Sequence, residues 1–171
     1  MIVYVDDVLS IDSNPKEAID RISNVFRIKE GSVQSPEMYL GMDVRKRTIQ
    51  DHEGNQIKCY SLGANSYVKE AVQIAKRQVE AHGLTFPTSK KQASSPFTNV
   101  KYRPELDATE YCDETKHTLY QKFIGMLRWM CELGRVDILH ETSILSQYLA
   151  SPRLGHLQQA INIFHYLDKH N

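Results

Sequence analysis

The sequence predicts an α+β fold, in which a strand-rich N-terminal part precedes an all-helical C-terminal part. Up to residue 62, short segments of β-branched or alternating apolar residues are separated by turn-forming residues. From Thr115 onward, the apolar residues instead recur at helical spacing. Because consecutive short strands joined by tight turns pair antiparallel, β-hairpins are expected in the first part.

The first predicted hairpin carries two adjacent carboxylates. The chain opens MIVYVDDVLSID, and β-branched residues dominate both sides of Asp6 and Asp7. We expect residues 2–5 and 8–11 to pair antiparallel, with both aspartates at the tip. Inside a continuous strand the two side chains would point to opposite faces, whereas a turn can present both to one space.

A short helix and a second hairpin are expected next. Proline at a first helical position predicts a helix from Pro15, with Asn14 as its cap. Residues 38–44 alternate as a strand, residues 52–55 form a turn, and residues 57–62 form the returning strand. The helix stripe contains Ala18, Ile19, Ile22, Val25 and Phe26. The alternating strand has Met38, Leu40, Met42 and Val44 on one face, and Tyr39, Asp43 and Arg45 on the other.

Four further apolar stripes predict helices. The first helix lies within residues 65–83, with Asn65 or Ser66 as cap and Gly83 as stop. Residues 84–114, first rich in Ser, Thr, Pro and Lys and then acidic, show no period and predict an extended linker. The stripe before the linker is Val68, Ala71, Val72, Ala75 and Val79. The stripes after it are Leu119, Phe123, Met126, Leu127 and Met130; then Ile138, Thr142, Leu145 and Leu149; then Leu157, Ala160, Ile161, Phe164 and Leu167.

The composition narrows the class of protein. With 21 basic and 21 acidic residues, the chain has no overall electrostatic field that would attract nucleic acid or a membrane. Any binding of phosphates must therefore come from local patches of basic residues. Its three cysteines are widely spaced, which argues against a disulfide framework or a zinc cluster and indicates a reducing compartment. We expect a soluble protein, because no signal peptide and no membrane-spanning run is apparent.

Adjacent aspartates at a hairpin tip have a possible chemical purpose. Two like charges so close repel each other, and a divalent cation such as Mg²⁺ or Mn²⁺ removes the conflict because it prefers hard oxygen ligands. The plain alternative is a solvated turn, since aspartate favours turns in any protein. The apolar flanks of Asp6 and Asp7 favour the metal site, because an exposed turn rarely needs them.

The motifs carry a family resemblance. Tyr4-Val-Asp-Asp7 resembles the YxDD box of reverse transcriptases, and MIVYVDDVLSI resembles the palm hairpin of the copia-type LTR retrotransposon enzymes. YLGMDV at residues 39–44 resembles the family's FLGIEI strand at the primer grip, with Leu40 and Gly41 in the matching positions. SLGANSYVK at residues 61–69 resembles its LSQEKYIEKLL helix start. Two C-terminal blocks follow in the family's order, through Tyr120, Gly125, Arg135, Asp137, Ile138, and through residues 146–152, His156, Ala160, Tyr166 and Leu167.

The resemblance implies a domain order. Residues 1–62 would be the C-terminal part of a polymerase palm, built of antiparallel hairpins with packed helices. Residues 63–83 would start the thumb helices, and residues 84–114 would form the extended linker. Residues 115–171 would be a helical connection region that precedes a ribonuclease H domain.

The resemblance also implies an activity, that of an RNA-directed DNA polymerase using two-metal nucleotidyl transfer. Asp6 and Asp7 would be the catalytic ligands of Mg²⁺ or Mn²⁺, and Tyr4 and Val5 would line the space under the primer end. The primer-grip-like pair would hold the primer strand. The implied partners are an RNA template, a DNA primer, deoxynucleotides, and the upstream fingers and palm and downstream ribonuclease H segments of a polyprotein, with no membrane. The implied location is a virus-like particle in the cytoplasm, or the nucleus.

One departure from the family pattern limits the expected activity. The family's first metal-binding aspartate lies on a strand upstream of the YxDD hairpin, so we expect it to be absent and this chain to be inactive alone. The alternative is a non-catalytic remnant of a decayed element that binds nucleic acid or a partner protein.

Local clusters and aromatic residues have two interpretations each. Basic clusters occur at Arg45, Lys46 and Arg47, at Lys76 and Arg77, and at Lys90 and Lys91. Arg45 to Arg47 are candidates for contact with a nucleic-acid backbone, whereas Lys76 and Arg77 are interpreted as solvated surface charges. Tyr120, Phe123, Trp129 and Tyr148 could stack on bases, but their helical spacing favours a core. His140 and His156 are interpreted as surface or packing residues.

Overall fold

All strands of the described chain lie in its first 63 residues, and its long helices follow them. The computed structural model describes residues 1–88, 95–97 and 102–170, and the chain divides into two units, Met1–Gly63 and Ala64–Asn171. The basic pair Lys90 and Lys91, and parts of the expected linker, lie outside the described residues.

The first sheet is the hairpin of β1 (Ile2–Tyr4) and β2 (Asp7–Leu9), paired antiparallel. Its register sets Ile2 opposite Leu9 and Tyr4 opposite Asp7, so the prediction of an antiparallel hairpin is confirmed. The paired segments are shorter than expected, because a two-residue turn of Val5 and Asp6 joins them. Asp7 therefore begins β2 instead of sharing the tip with Asp6, which corrects that detail.

The second sheet has the order β3-β4-β5, with β3 at Met38–Tyr39, β4 at Met42–Gln50 and β5 at Gln56–Gly63. The predicted turn and returning strand are confirmed: Asp51 accepts hydrogen bonds from the backbone N–H groups of Glu53 and Asn55 across the loop. The predicted unbroken alternation over residues 38–44 is wrong. Leu40 and Gly41 both have positive φ, 51° and 79°, and form a tight turn that reverses the chain between β3 and β4.

Helix α1 (Pro15–Ser23) begins at the predicted proline, with Asn14 at the predicted cap position, but departs from its predicted stripe. Asn14 precedes it without a side-chain capping hydrogen bond. The helix ends before Val25 and Phe26, which are 75% and 67% exposed, and none of its residues is buried. Ala18, Ile19 and Ile22 of the predicted stripe are half-buried, so the unit covers the stripe only in part. Among residues 1–63, all of them described, the buried apolar side chains are Leu9 and Tyr39.

The second unit contains α2 (Asn65–Ala81), α3 (Glu114–Glu132), α4 (Leu139–Ser146) and α5 (Leu154–Lys169), with short 3₁₀ turns at Pro104–Leu106 and Val136–Ile138. Helix α2 packs against α3 and α5. Its predicted stripe is confirmed, since all five of its residues are buried. The predicted cap is wrong, because Ala64 holds that position and neither Asn65 nor Ser66 precedes the helix.

The C-terminal helices enclose the core. Phe123 of α3 and Phe164 of α5 meet edge to face, with ring centroids 5.0 Å apart. Tyr120 is fully buried and donates a hydrogen bond of 2.6 Å to the Leu145 carbonyl. The predicted stripes are buried except for Met126 and Leu149, which are half-buried. Of the four aromatic residues expected in the core, Tyr120 and Phe123 are buried, while Trp129 and Tyr148 are half-buried.

Residues 102–113 are held against the start of α5, although they belong to the expected linker. Tyr102 donates a 2.6 Å hydrogen bond to Asp107, and Gly155 donates one of 2.9 Å to the Thr109 hydroxyl. Buried His156 contacts the Pro104 carbonyl through Nε2 at 3.0 Å, as the packing interpretation of this residue expects. This part of the interval is therefore an ordered segment instead of an extended linker.

Two general features complete the fold. Cys59, Cys112 and Cys131 are all unpaired. Within the described ranges, none of the helices combines the length and apolar character needed to cross a membrane.

Candidate functional site

The β1–β2 turn places the two aspartates in different backbone settings. Asp6 is the second residue of the turn, after Val5, whose φ is 54°. Asp7 is the first residue of β2 and lies opposite Tyr4. Both aspartates are exposed, so their carboxylates are open to solvent and to any incoming ligand. The structure thus brings Tyr4, Val5, Asp6 and Asp7 together at one hairpin end.

The donor set at this hairpin fits a hard divalent cation only in part. Carboxylate oxygens are the ligands that Mg²⁺ prefers, and it usually keeps several waters and takes one or two protein carboxylates. In the part of the chain that the structure describes, no group of three or more His, Cys, Asp or Glu side chains converges as a metal site. Asp6 and Asp7 could therefore supply two ligands, and the remaining ligands would have to be waters, substrate phosphates or groups from elsewhere.

The two residues before the aspartates are largely exposed. Tyr4 is 52% exposed and Val5 is 86% exposed, so both side chains are available for contact. A valine with positive φ is uncommon, because the branched Cβ crowds the backbone there. The turn therefore holds a strained residue beside the carboxylates.

The primer-grip-like pair Leu40 and Gly41 forms the β3–β4 turn. Positive φ at both central residues is the pattern of a type I′ hairpin turn, in which glycine suits the second position and leucine is unusual in the first. Tyr39, just before the turn, is 7% exposed, and its hydroxyl has no hydrogen-bond partner among the described residues. This turn and the aspartate hairpin belong to separate sheets.

The predicted basic cluster lies on β4, in a two-stranded extension of the second sheet. Arg45, Lys46 and Arg47 are exposed, and the Arg45 guanidinium lies 3.6 Å from the Asp43 carboxylate. Strand β5 adds Lys58 and Tyr60, which the sequence interpretation missed. The sequence does contain information that could have found them, because the turn at residues 52–55 fixes the register that sets Tyr60 opposite Lys46.

In the second unit, one of the predicted surface cations has structural partners. Lys76 on α2 forms an ion pair of 2.8 Å with Asp168 on α5, and its Nζ lies 5.5 Å from the centroid of the Phe86 ring. This lysine therefore has a structural partner, beyond the solvated role expected for it.

Comparisons with known proteins find similarity to transposon proteins. It is 29% identical over 170 residues to a putative transposon Ty5-1 protein of Saccharomyces cerevisiae. The aligned region covers 96% of this chain and 47% of the yeast protein. It is 24% identical over 170 residues to a retrovirus-related Pol polyprotein from transposon RE1 of Arabidopsis thaliana, covering 98% of this chain and 10% of that protein. The homologues of this chain are transposon proteins. This relationship supports a retrotransposon origin.

The same comparisons set the extent of the likeness. The chain spans about half the length of the yeast relative and about a tenth of the plant polyprotein. No protein-family model matches the chain. No solved structure matches it either.

Proposed function

We propose that this chain is a segment of an RNA-directed DNA polymerase, the reverse transcriptase of a copia-like retrotransposon. The observation that carries the proposal is the YVDD hairpin, in which two short antiparallel strands meet at a turn beside Asp6 and Asp7. The similarity to transposon proteins over nearly the whole chain supports the same origin. The palm, thumb and connection assignments of residues 1–62, 63–83 and 115–171 are part of this proposal.

In the proposed enzyme, each site residue has a role that follows from its position. Asp6, in the turn, and Asp7, at the start of β2, would hold Mg²⁺ or Mn²⁺ through their exposed carboxylates. The bound ion would neutralise charge on the phosphate oxygens during the transfer. Tyr4 and Val5 would lie under the primer end, and the Leu40–Gly41 turn would position the primer strand.

The reaction is expected to require protein segments beyond this chain. Two carboxylates bind Mg²⁺ weakly, because the ion demands octahedral oxygen ligands and gives up its waters reluctantly. We expect the purified chain to show no template-dependent primer extension with Mg²⁺ and deoxynucleotides. Extension by the purified chain that is lost in Asp6→Asn would contradict this expected inactivity, although it would support the polymerase assignment.

The proposal is tested by fusing the chain to the fingers and first palm segment of a related reverse transcriptase. The fusion should gain Mg²⁺ binding, measured by calorimetry, and primer extension, measured on a primed RNA template. Asp6→Asn should abolish both gains. Asp20→Asn is the matched control, since it makes the same chemical change at an exposed position of α1 outside the motif. Primer extension by the fusion that is unchanged in Asp6→Asn would disprove the polymerase assignment.

The rival function is a non-catalytic remnant that binds nucleic acid or a protein partner. The observation in its favour is that the two exposed aspartates have no third acidic, histidine or cysteine side chain converging on them among the described residues. A fusion that folds and still neither binds Mg²⁺ at Asp6 nor extends a primer would favour this rival.

A further inference from the structure

Strand β4 has one edge that is paired over only part of its length. Strand β3 pairs with this edge at Met42 and Asp43, and the Val44 N–H donates a 2.8 Å hydrogen bond to the Glu37 carbonyl. On its other edge, β4 is paired with β5 through to its end. No strand of the described chain pairs with residues 45–50 on the β3 side. The backbone of β4 therefore has an unpaired edge beyond Val44.

The backbone hydrogen bonds at the two ends of β4 show which residues point toward that edge. In an antiparallel ladder, residues that bond to the facing strand alternate with residues that point away from it. The Val44 N–H points toward β3, whereas the Asp51 N–H donates a 3.0 Å hydrogen bond across the hairpin to the Asn55 carbonyl. The register between these ends has no bulge, so the even-numbered residues point away from β5. Their backbone N–H and C=O groups, here called the open edge, belong to Lys46, Thr48 and Gln50.

The open edge is accessible for pairing with another strand. Each of residues 45–50 is exposed, and no hydrogen bond to the N–H or C=O groups of the open edge is found within the described ranges. A row of unpaired N–H and C=O groups is a template for an added strand. Charged side chains at such an edge discourage strands of like charge, so the charge of β4 decides which strand can be added.

The side chains beside the open edge are cationic on both faces. Because side chains alternate along a strand, Arg45 and Arg47 share one face of β4 and Lys46 lies on the other. Arg45 lies 3.6 Å from Asp43, but no ion pair with an acidic side chain is found for Lys46 or Arg47 in the described ranges. The chain as a whole has equal numbers of acidic and basic residues, so this charge is local. An added strand would meet cations on alternate faces at successive positions.

We propose that the open edge binds an extended acidic segment of a partner protein, which adds to the sheet as a strand beside β4. Backbone hydrogen bonds to the open edge supply the affinity, and side chains on the two faces supply the specificity. Opposite charges on neighbouring strands attract and like charges repel, so an acidic strand fits this edge. A second copy of β4 would bring three further cations into the same sheet, so it fits the edge less well.

The alternation of the three cations defines the sequence of the partner. Three consecutive carboxylates on an extended strand also alternate between faces, so each meets a cation on its own face. Carboxylates at every second position share one face and meet only Arg45 and Arg47. The partner segment should therefore contain consecutive acidic residues flanked by strand-forming residues such as valine and threonine. This surface goes beyond the polymerase assignment, because it involves neither Asp6 nor a metal ion.

The first experiment compares three fluorescein-labelled heptapeptides for binding to the full chain, by fluorescence anisotropy without metal or nucleotide. The peptide Thr-Val-Glu-Glu-Glu-Val-Thr should bind. The peptide Glu-Val-Glu-Thr-Glu-Val-Thr, of the same composition, should bind about threefold more weakly, because one charge pair is lost. The first peptide with an N-methylated backbone should bind about tenfold more weakly, because it keeps the charges but cannot pair. Equal binding of the N-methylated peptide overturns the inference, since the contact would then be electrostatic only.

The second experiment tests which edge binds the peptide. Thr48→Pro removes an outward N–H of the open edge without removing a β4–β5 hydrogen bond, so the hairpin should remain and affinity should fall about tenfold. Gln56→Pro is the matched control, because Gln56 lies opposite Gln50 and points its N–H to the outer edge of β5. Thr48→Ala controls for the lost side chain, and both controls should keep the wild-type affinity. A loss in Gln56→Pro instead of Thr48→Pro would place the added strand at β5 and overturn the inference.

The third experiment removes the charges. Arg45→Gln with Arg47→Gln should lower affinity about fivefold at low salt, and the loss should shrink as salt screens the charges. Lys16→Gln with Lys29→Gln is the control, because it removes the same charge from exposed residues of the same unit away from β4. If the two double variants bind the peptide equally, the proposed role of the cations is wrong.

Amide hydrogen exchange, measured by NMR with and without the first peptide, gives a readout that needs no variant. A bound strand should slow exchange at Lys46, Thr48 and Gln50, while the amides between them, which already point to β5, change little. Equal slowing throughout residues 45–50 would mean that the peptide stabilises the hairpin without pairing to it, and would overturn the inference.

Two other occupants are outcomes that also overturn the inference. If a labelled single-stranded oligonucleotide of equal charge binds and the peptides do not, the cations contact phosphates instead. Self-association of the chain without peptide binding, seen by analytical ultracentrifugation and lost in Thr48→Pro, would assign the open edge to a second copy.

Discussion

Val5 holds a φ of 54° at the turn beside the candidate metal ligands. Asparagine tolerates this left-handed region better than a β-branched residue does, so Val5→Asn should relieve strain. Because Val5 is 86% exposed, the substitution removes little packing. We expect the hairpin to gain about 1 kcal/mol, seen as slower amide hydrogen exchange in β1 and β2. Val3→Asn, within β1, should instead speed amide hydrogen exchange in the hairpin. Slower exchange in Val3→Asn would contradict the explanation by strain at Val5.

His165 on α5 offers a pH-dependent test of the helical unit. Its side chain is 3% exposed, and its Nδ1 has no hydrogen-bond partner among the described residues. Burial, with a smaller contribution from Lys169, lowers the pKa of His165 below its usual value, while Asp168 opposes the shift. The neutral ring is therefore favoured in the folded state.

The sign of the pH effect follows from that lowered pKa. The stability that the neutral His165 ring contributes is fully present above the unfolded-state pKa near 6.5. It is lost as pH falls from there through the lower folded-state pKa. We expect the urea midpoint, followed by Trp129 fluorescence, to fall between pH 7.5 and 5.5 in wild type, and to fall less in His165→Phe. His140→Gln, at an exposed position, should keep the wild-type dependence. Equal dependence in His165→Phe would assign the effect to other groups.

At the scale of elements, Gly155 at the start of α5 tests whether residues 102–113 are fixed to that helix. A Cβ at this position would lie 1.8 Å from the Asp107 carboxylate oxygen. Tyr102 and Thr109 hydrogen-bond that carboxylate, so it cannot turn away without losing them. Gly155→Ala should therefore cost about 2 kcal/mol of unfolding free energy, the scale of one or two hydrogen bonds to a charged group.

The matched control for this substitution is Gly125→Ala, within α3. Nothing lies within 4 Å of a Cβ built there, and the helix gains from losing a glycine, so stability should rise by about 0.5–1 kcal/mol. Chemical denaturation of both variants measures the difference. A neutral Gly155→Ala would mean that residues 102–113 are not held as the structure shows.

Elements that bury a periodic stripe were predictable from the sequence, and elements set by turns or by distant contacts were not. The stripe of α2 was predicted because the helices around it cover one face, so that local spacing reports burial. The stripe of α1 was realised only in part, since its unit leaves Ala18, Ile19 and Ile22 half-buried and buries none of them. Leu40 was placed in a strand because apolar alternation cannot reveal a positive φ. The contacts of residues 102–113 join positions far apart in sequence, which composition does not encode.

The candidate site was predictable to a similar degree. The aspartate hairpin followed from its β-branched flanks, but the one-residue offset of Asp7 depends on turn length, which those flanks do not specify. Lys58 and Tyr60 were missed because their position beside the β4 cations depends on register. The roles of all these residues remain part of the proposals above.

At the scale of the whole molecule, the two units differ in how much apolar surface they bury. Apart from Leu9 and Tyr39, every buried apolar side chain of the described chain belongs to Ala64–Asn171. Small domains need a contiguous core to offset the conformational entropy of folding, and a two-stranded hairpin is marginal without one. The helical unit has such a core, and the strand-rich unit lacks one.

This asymmetry predicts how separate fragments behave. Residues 64–171 alone should be helical and unfold cooperatively in urea, with Trp129 reporting the transition. Residues 1–63 alone should show no cooperative transition, because many of their apolar side chains, among them Ile2, Val3 and Phe26, are half or more exposed. Under the proposed function, adding the fingers and first palm segment should give residues 1–63 a cooperative transition by covering these side chains. Cooperative unfolding of residues 1–63 by themselves would contradict this account, since the strand-rich unit would then be stable without further cover.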